Sequence, residues 1–120
     1  MGHFDKLQAK KVEVGGIKAG GATPTVVATT TGDGTCTISG SDLAGTLTFA
    51  NTWADNDTAV VTFGTAKGVA PLVFITHQAN FNSSGANLVE IDTLAIAADK
   101  FTITASGTCA GTINYLVIEQ

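Results

Sequence analysis

Residues 59–76, AVVTFGTAKGVAPLVFIT, constrain the fold more than any other stretch, because they spell a strand, a break and a second strand almost without interruption. Ala59, Val61 and Phe63 fall on one face of a period-two pattern, with Thr58, Val60 and Thr62 on the other. Residues 64–68 (GTAKG) break the run. Pro71, which has no N–H to give to a ladder, belongs at the start of the strand that follows. The spacing predicts a β-hairpin. Its second arm, Leu72-Val73-Phe74-Ile75, is apolar on both faces, which predicts a central, buried strand.

The same alternation recurs along the chain. Residues 25–31 (TVVATTT) and 35–39 (TCTIS) flank a Gly-Asp-Gly turn and predict a second hairpin. Residues 45–50 (GTLTFA) put Leu47 and Phe49 on one face, and 51–57 form a polar loop holding Trp53, the only tryptophan. A longer polar loop is expected at 77–86 (HQANFNSSGA), with Phe81 at or near its tip. Strands follow at 87–94 and 100–105, the latter with Phe101 and Ile103 inward; residues 107–111 turn the chain, and 112–119 (TINYLVIE) is apolar enough on both faces for a sheet interior. Eight or so short strands with turn signals at this spacing predict an all-β chain, an antiparallel β-sandwich or jelly-roll-like domain.

Composition agrees. Threonine, valine and isoleucine suit a pleated surface, and 14 glycines with frequent Asn and Asp supply turns, so long helices are not expected. Only 13% of residues are charged, about half the usual share. A surface of Thr, Ala, Ser and Gly suggests a chain that hides area against copies of itself.

Charge is divided by region. Residues 1–21 hold four of the six lysines against two acids, about +2, whereas 22–120 carry two lysines and eight acids, about −6. This predicts an extended N-terminal anchoring arm (1–21) on an acidic β-sandwich domain (22–120), with Phe4, Lys6, Leu7, Lys10, Lys11 and Lys18 making the docking contacts. Gly15-Gly16 and Gly20-Gly21 are the expected hinges.

No apolar run reaches membrane-spanning length, and MGHFDKLQAKK lacks the apolar core of a signal peptide, so synthesis in a reducing cytoplasm and no membrane partner are expected. Cys36 and Cys109 stand in similar Gly-Thr-Cys settings and read either as two buried free thiols or as a disulfide; the missing signal peptide favours thiols.

Catalytic signatures are lacking. His3 and His77 have no local nucleophile–acid motif, two cysteines without a nearby His cannot complete a tetrahedral metal shell, and no cofactor motif occurs. Asp55-Asn56-Asp57 resembles half a calcium loop, but the glycine and distal Glu are missing, so Asx turns are the better reading. Glu90 and Asp92 share a strand face, ordinarily a solvated one. An acidic body without arginine argues against nucleic-acid binding. Two loops have the makings of a shallow sugar or receptor site, Trp53 with Asn51, Asp55, Asn56 and Asp57, and Phe81 with Asn80, Asn82 and Ser83. Burial in a core is nevertheless the commoner fate of a lone tryptophan.

Residues 60–76 (VVTFGTAKGVAPLVFIT) and 101–119 (FTITASGTCAGTINYLVIE) resemble bacteriophage fibre heads and H-type-lectin-like trimeric β-domains. The resemblance implies a non-enzymatic, trimeric structural or adhesion domain on the virion surface, partnered by capsid or tail proteins as a decoration, head-fibre or knob protein. Recognition of host surface glycan by a fibre tip is the alternative it implies. No sugar-binding residue carries over from it.

Overall fold

The computed structural model describes residues 20–78, 81–83, 89–91 and 95–120. Nine strands follow in chain order: β1 (Thr25–Thr29), β2 (Thr35–Gly40), β3 (Ala44–Ala50), β4 (Asp55–Thr62), β5 (Leu72–His77), β6 (Asn82–Ser83), β7 (Val89–Ile91), β8 (Lys100–Ser106) and β9 (Cys109–Ile118). Two antiparallel sheets pack face to face as a β-sandwich, β1-β4-β8-β7 against β2-β3-β9-β5, with β6 extending the second sheet alongside β9.

Alternation decides which side chains meet. Ala59, Val61, Phe101, Ile103 and Ala105 face inward from the first sheet, and Leu47, Phe49, Ile113, Tyr115 and Val117 from the second, all at most 3% exposed. Aromatic edges lock the layers: Phe63 and Tyr115 lie 5.8 and 6.1 Å from Phe101, and Trp53 meets Phe49 edge-on at 4.9 Å. The inward assignments of Leu47, Phe49, Phe101 and Ile103 hold. So does an interior position for β9, which lies between β3 and β5.

Neither expected hairpin forms. β4 pairs with β1 and β8, whereas β5 pairs with β9 in the opposite sheet; likewise β1 and β2 belong to different sheets. Nine residues separate β4 from β5, more than a tight hairpin uses. Their backbone donors are also drawn away from any partner strand: Phe63 N–H donates to the Asp99 carbonyl, Lys67 N–H to Ala98, and the Gly64 and Thr65 N–H groups to the Asp42 carboxylate. The link from β1 to β2 behaves similarly, with Thr31 N–H donating to Asp57. These strand pairs thus cross between the sheets; consecutive strands do pair in β2–β3, closed by Gly40 at φ 124° and a Ser41 N–H bond to the Ala44 carbonyl, and in β7–β8.

Three further expectations are corrected. β5 is an edge strand, and Leu72 and Phe74 are 46% and 50% exposed, because only Val73 and Ile75 face the core. Residues 55–57 belong to β4, where a register shift and Asn56 at φ 69° bend the strand's start, so the loop shrinks to 51–54. The final turn is also shorter, since β9 begins at Cys109.

Candidate functional site

The registers give the sandwich two poles. At one lie the ends of β2, β4 and β9 and the starts of β1, β3, β5 and β8; the opposite ends of those strands make the other.

The first pole is organised by Asp42, in the β2–β3 turn and only 3% exposed. Its carboxylate accepts N–H bonds from Gly64 (2.7 Å) and Thr65 (2.8 Å) and lies 3.3 Å from Lys67 Nζ. Lys67 is shared with Glu119 (3.3 Å) and sits 5.0 Å above the Phe63 ring, a cation held by two carboxylates and a π-face. Burial alone would raise the Asp42 pKa, but the two backbone donors and Lys67 together outweigh it and hold the carboxyl below its ordinary value. The Asp42 N–H donates to the Ala22 carbonyl, and the Val117 N–H to Leu43. Tyr115 Oη donates to the Ser41 carbonyl at 2.6 Å, and burial, then the nearby Asp42 charge, push its pKa up to about 12. One turn thereby ties the root of the N-terminal segment, the β4–β5 crossing and the end of β9. Beside it lies an open depression of about 570 Å³, lined in part by Gly20, Gly21, Leu43, Ile118 and Glu119.

The second pole holds the residues of the two loops weighed as a sugar or receptor site, and the core reading of Trp53 is the one that holds. Trp53 is 1% exposed, and its Nε1–H donates to the Thr35 and Ala50 carbonyls, both at 3.1 Å. It is a core plug and offers no platform for a ligand. Asp57, 3% exposed, accepts the Thr31 N–H and the Ala54 N–H at 2.9 and 2.8 Å and is fully engaged in holding two loops. Phe81 is half-buried, edge-on to Phe49 and stacked on His77 at 4.4 Å, so it anchors its loop instead of tipping it. Asp55 and Asn56 are exposed and bonded to each other, Asn56 Nδ2–H donating to Asp55. Exposed Asn51, at φ 64°, lies on the same side.

Both cysteines are free thiols. Burial, then Cys109, raise the Cys36 pKa to about 12; burial, then Asp57, raise that of Cys109 to about 11. Thiols held protonated this way are poor nucleophiles and poor metal ligands. Strand β3 also separates β2 from β9, putting the backbones of the two cysteines about 10 Å apart across the strands, beyond the reach of a disulfide. Among the described residues, no three His, Cys, Asp or Glu side chains gather as metal ligands, and no helix is long and apolar enough to cross a membrane.

Phe4, Lys6, Leu7, Lys10, Lys11, Lys18, Asn80 and Asp92 lie outside the described residues, as do the side chains of Asn82 and Glu90. The Asp42–Lys67 pair escaped the sequence reading, although Lys67 is one of only two lysines after residue 21 and lies between two glycines of a break in the strand pattern. No family model, curated protein or solved structure matches the chain.

Proposed function

We propose that this chain is a non-enzymatic virion structural protein, a capsid decoration, head-fibre or knob protein, docked through its basic N-terminal segment and displaying the β-sandwich outward as a homo-oligomer, a trimer on the resemblance. One observation carries the reading: a +2 segment is joined to a −6 body at a single pole, where its root at Ala22 is bonded to the buried Asp42 turn. An electropositive segment so placed suits an acidic protein surface, while the body's own charge keeps the far pole away from it. The product of such a protein is assembly strength, gained through repeated weak contacts.

Incorporation into particles of the encoding virus tests this. A chain lacking residues 1–18 is expected to fold, by its far-ultraviolet dichroism and melting curve, yet to be absent from purified particles. A truncated protein found on particles at the full-length level refutes the arm as anchor.

A receptor-binding tip is the second reading, favoured by exposed Asp55, Asn56 and Asn51 at the pole opposite the arm root. It predicts that Asp55→Ala with Asn56→Gly weakens binding to host cells or surface polysaccharide without changing oligomeric mass; the decoration reading predicts no change.

A further inference from the structure

We propose that the outer face of the β2-β3-β9-β5 sheet, centred on its β5–β9 corner, is the surface on which one copy of this chain packs against a second copy. The register sets Leu72 opposite Ile118 and Phe74 opposite Leu116, with all four side chains outward. They are 46%, 44%, 50% and 42% exposed, and Leu43, at 37%, adjoins them through its bond to Val117. The inward residues of the same strands already fill the core, so packing among the described residues gives no reason for β5 and β9 to be apolar on both faces.

Charge selects the partner. None of the outward positions on β2, β3, β5 and β9 is charged; they are Thr, Ser, Ala, Asn or large apolar residues. On a body of about −6, this face is where a like-charged copy can approach without burying a carboxylate. On β9 and its neighbours several polar groups pair with one another: Gln78 Nε2–H donates to Asn114, Asn114 Nδ2–H to Thr76, and the Thr48 and Thr112 hydroxyls share a hydrogen bond. Covering them therefore leaves few unsatisfied donors. Four strands at about 4.8 Å spacing and six residues at about 3.4 Å rise give a footprint of roughly 20 by 20 Å, about 400 Å² on each copy, the size of a weak, concentration-dependent contact. An apolar patch bordered across the sheet by polar, uncharged residues suits such a contact.

The edge points the same way. Strand edges are usually blunted by Lys, Pro, a bulge or a covering element. β5 contains no lysine, proline or acid, runs six residues without a register shift, and has no strand beyond it among the described residues.

The inference deepens the proposed function by naming the surface of self-association and rests on that reading only for the claim that copies associate. Its test uses purified protein without particles, so either can fail alone. The mass of the full-length chain is measured by sedimentation from 1 µM to 1 mM, beside Phe74→Glu/Leu116→Glu, the milder Phe74→Thr/Leu116→Thr, and Val27→Glu on the other sheet. Val27 is 65% exposed and makes the matched control. The wild-type chain and Val27→Glu are expected to exceed the 12.1 kDa of one copy by a whole-number factor. The glutamate pair is expected to weaken association at least about a hundredfold, and the threonine pair about tenfold, with native dichroism. Should the glutamate pair fail to fold, the threonine pair decides. A wild-type monomer throughout the range, whether the face is bare or covered by the N-terminal segment, overturns the proposal, as does an unchanged mass in the folded patch variants or an equal loss in Val27→Glu.

Discussion

Replacing Asp42 with alanine should cost a large share of the body's stability. The carboxylate accepts two backbone N–H bonds at 2.7 and 2.8 Å. Hydrogen bonds to a charged group contribute roughly 1.5–3 kcal/mol each. Lys67 keeps Glu119, so loss of that pair adds about 1 kcal/mol or less. Water entering from the adjoining depression can re-solvate part of the turn, leaving a net cost of about 3–4 kcal/mol, a large share of the roughly 5–15 kcal/mol that holds a domain folded. At a urea dependence of about 1 kcal/mol/M, the midpoint falls by about 3 M. Trp53 fluorescence is the readout, because the tryptophan is buried at the opposite pole and responds only if the whole sandwich opens. Acid gives the second arm of the test. The folded-state pKa of Asp42 lies below its unfolded value near 3.9, so its contribution is fully present above about pH 4 and is lost as pH falls through the lower folded value. Asp42→Asn should therefore show a shallower loss of stability below pH 4 than wild type. A midpoint within ~0.5 M of wild type in Asp42→Ala, or an unchanged acid limb in Asp42→Asn, refutes the view that this carboxylate holds the pole.

Gly45→Ala should destabilise by about 3 kcal/mol or prevent folding, read by thermal unfolding, since a β-carbon there collides with the Ser39 carbonyl oxygen and the Tyr115 phenol. Trp53→Phe should cost about 2–4 kcal/mol by urea denaturation followed by dichroism, because two carbonyls lose their donor and the smaller ring leaves a void. Both thiols, with pKa values pushed up to about 12 and about 11, should react with a disulfide reagent at pH 8 at least about a hundredfold more slowly in the folded chain than in urea; equal rates would contradict their burial.

Residues whose partners are set by alternation alone were legible from the sequence. Leu47, Phe49, Phe101 and Ile103 follow period two, and a strand has only two faces to choose between. Pairing was not legible, because proximity in sequence favours a hairpin while the choice of sheet depends on where turn donors find acceptors. The acceptors here are Asp42, Asp57, Ala98 and Asp99, which lie 22, 26, 31 and 36 positions from the N–H donors of Gly64, Thr31, Lys67 and Phe63, and no local signal ties them together. The stretch around Trp53, whose indole is buried as expected, shows the same limit. Its polar neighbours suggested an exposed loop, yet those neighbours are polar because they anchor loops around a buried indole: Asp57 binds Thr31 and Ala54, and Asp33 takes the Thr52 N–H. Apolarity on both faces of β5 was read as central burial. It is equally the mark of a strand that faces its own core on one side and another molecule on the other.

Each pole is closed by a buried aspartate that collects backbone donors from links crossing between the sheets, Asp42 at one end and Asp57 at the other. Such closure takes the charge needed to fix the loops out of the lateral faces, and the outward positions of the β2-β3-β9-β5 sheet carry none. On the proposed reading, three tasks then occupy three separate regions: docking at the pole where the basic segment joins, association along an uncharged flank, and exposure at the pole bearing Asp55 and Asn56. Separation of this kind makes the tasks independently breakable. Charge reversal at Lys6, Lys10 and Lys11 should abolish particle incorporation and leave oligomeric mass intact. Polar substitution at Phe74 and Leu116 should do the reverse in purified protein, and on particles it should weaken retention as well, because copies that no longer associate lose the avidity of their joined arms. Arm variants that lower the mass, or patch variants that leave both mass and retention unchanged, would show that the regions do not divide the work in this way.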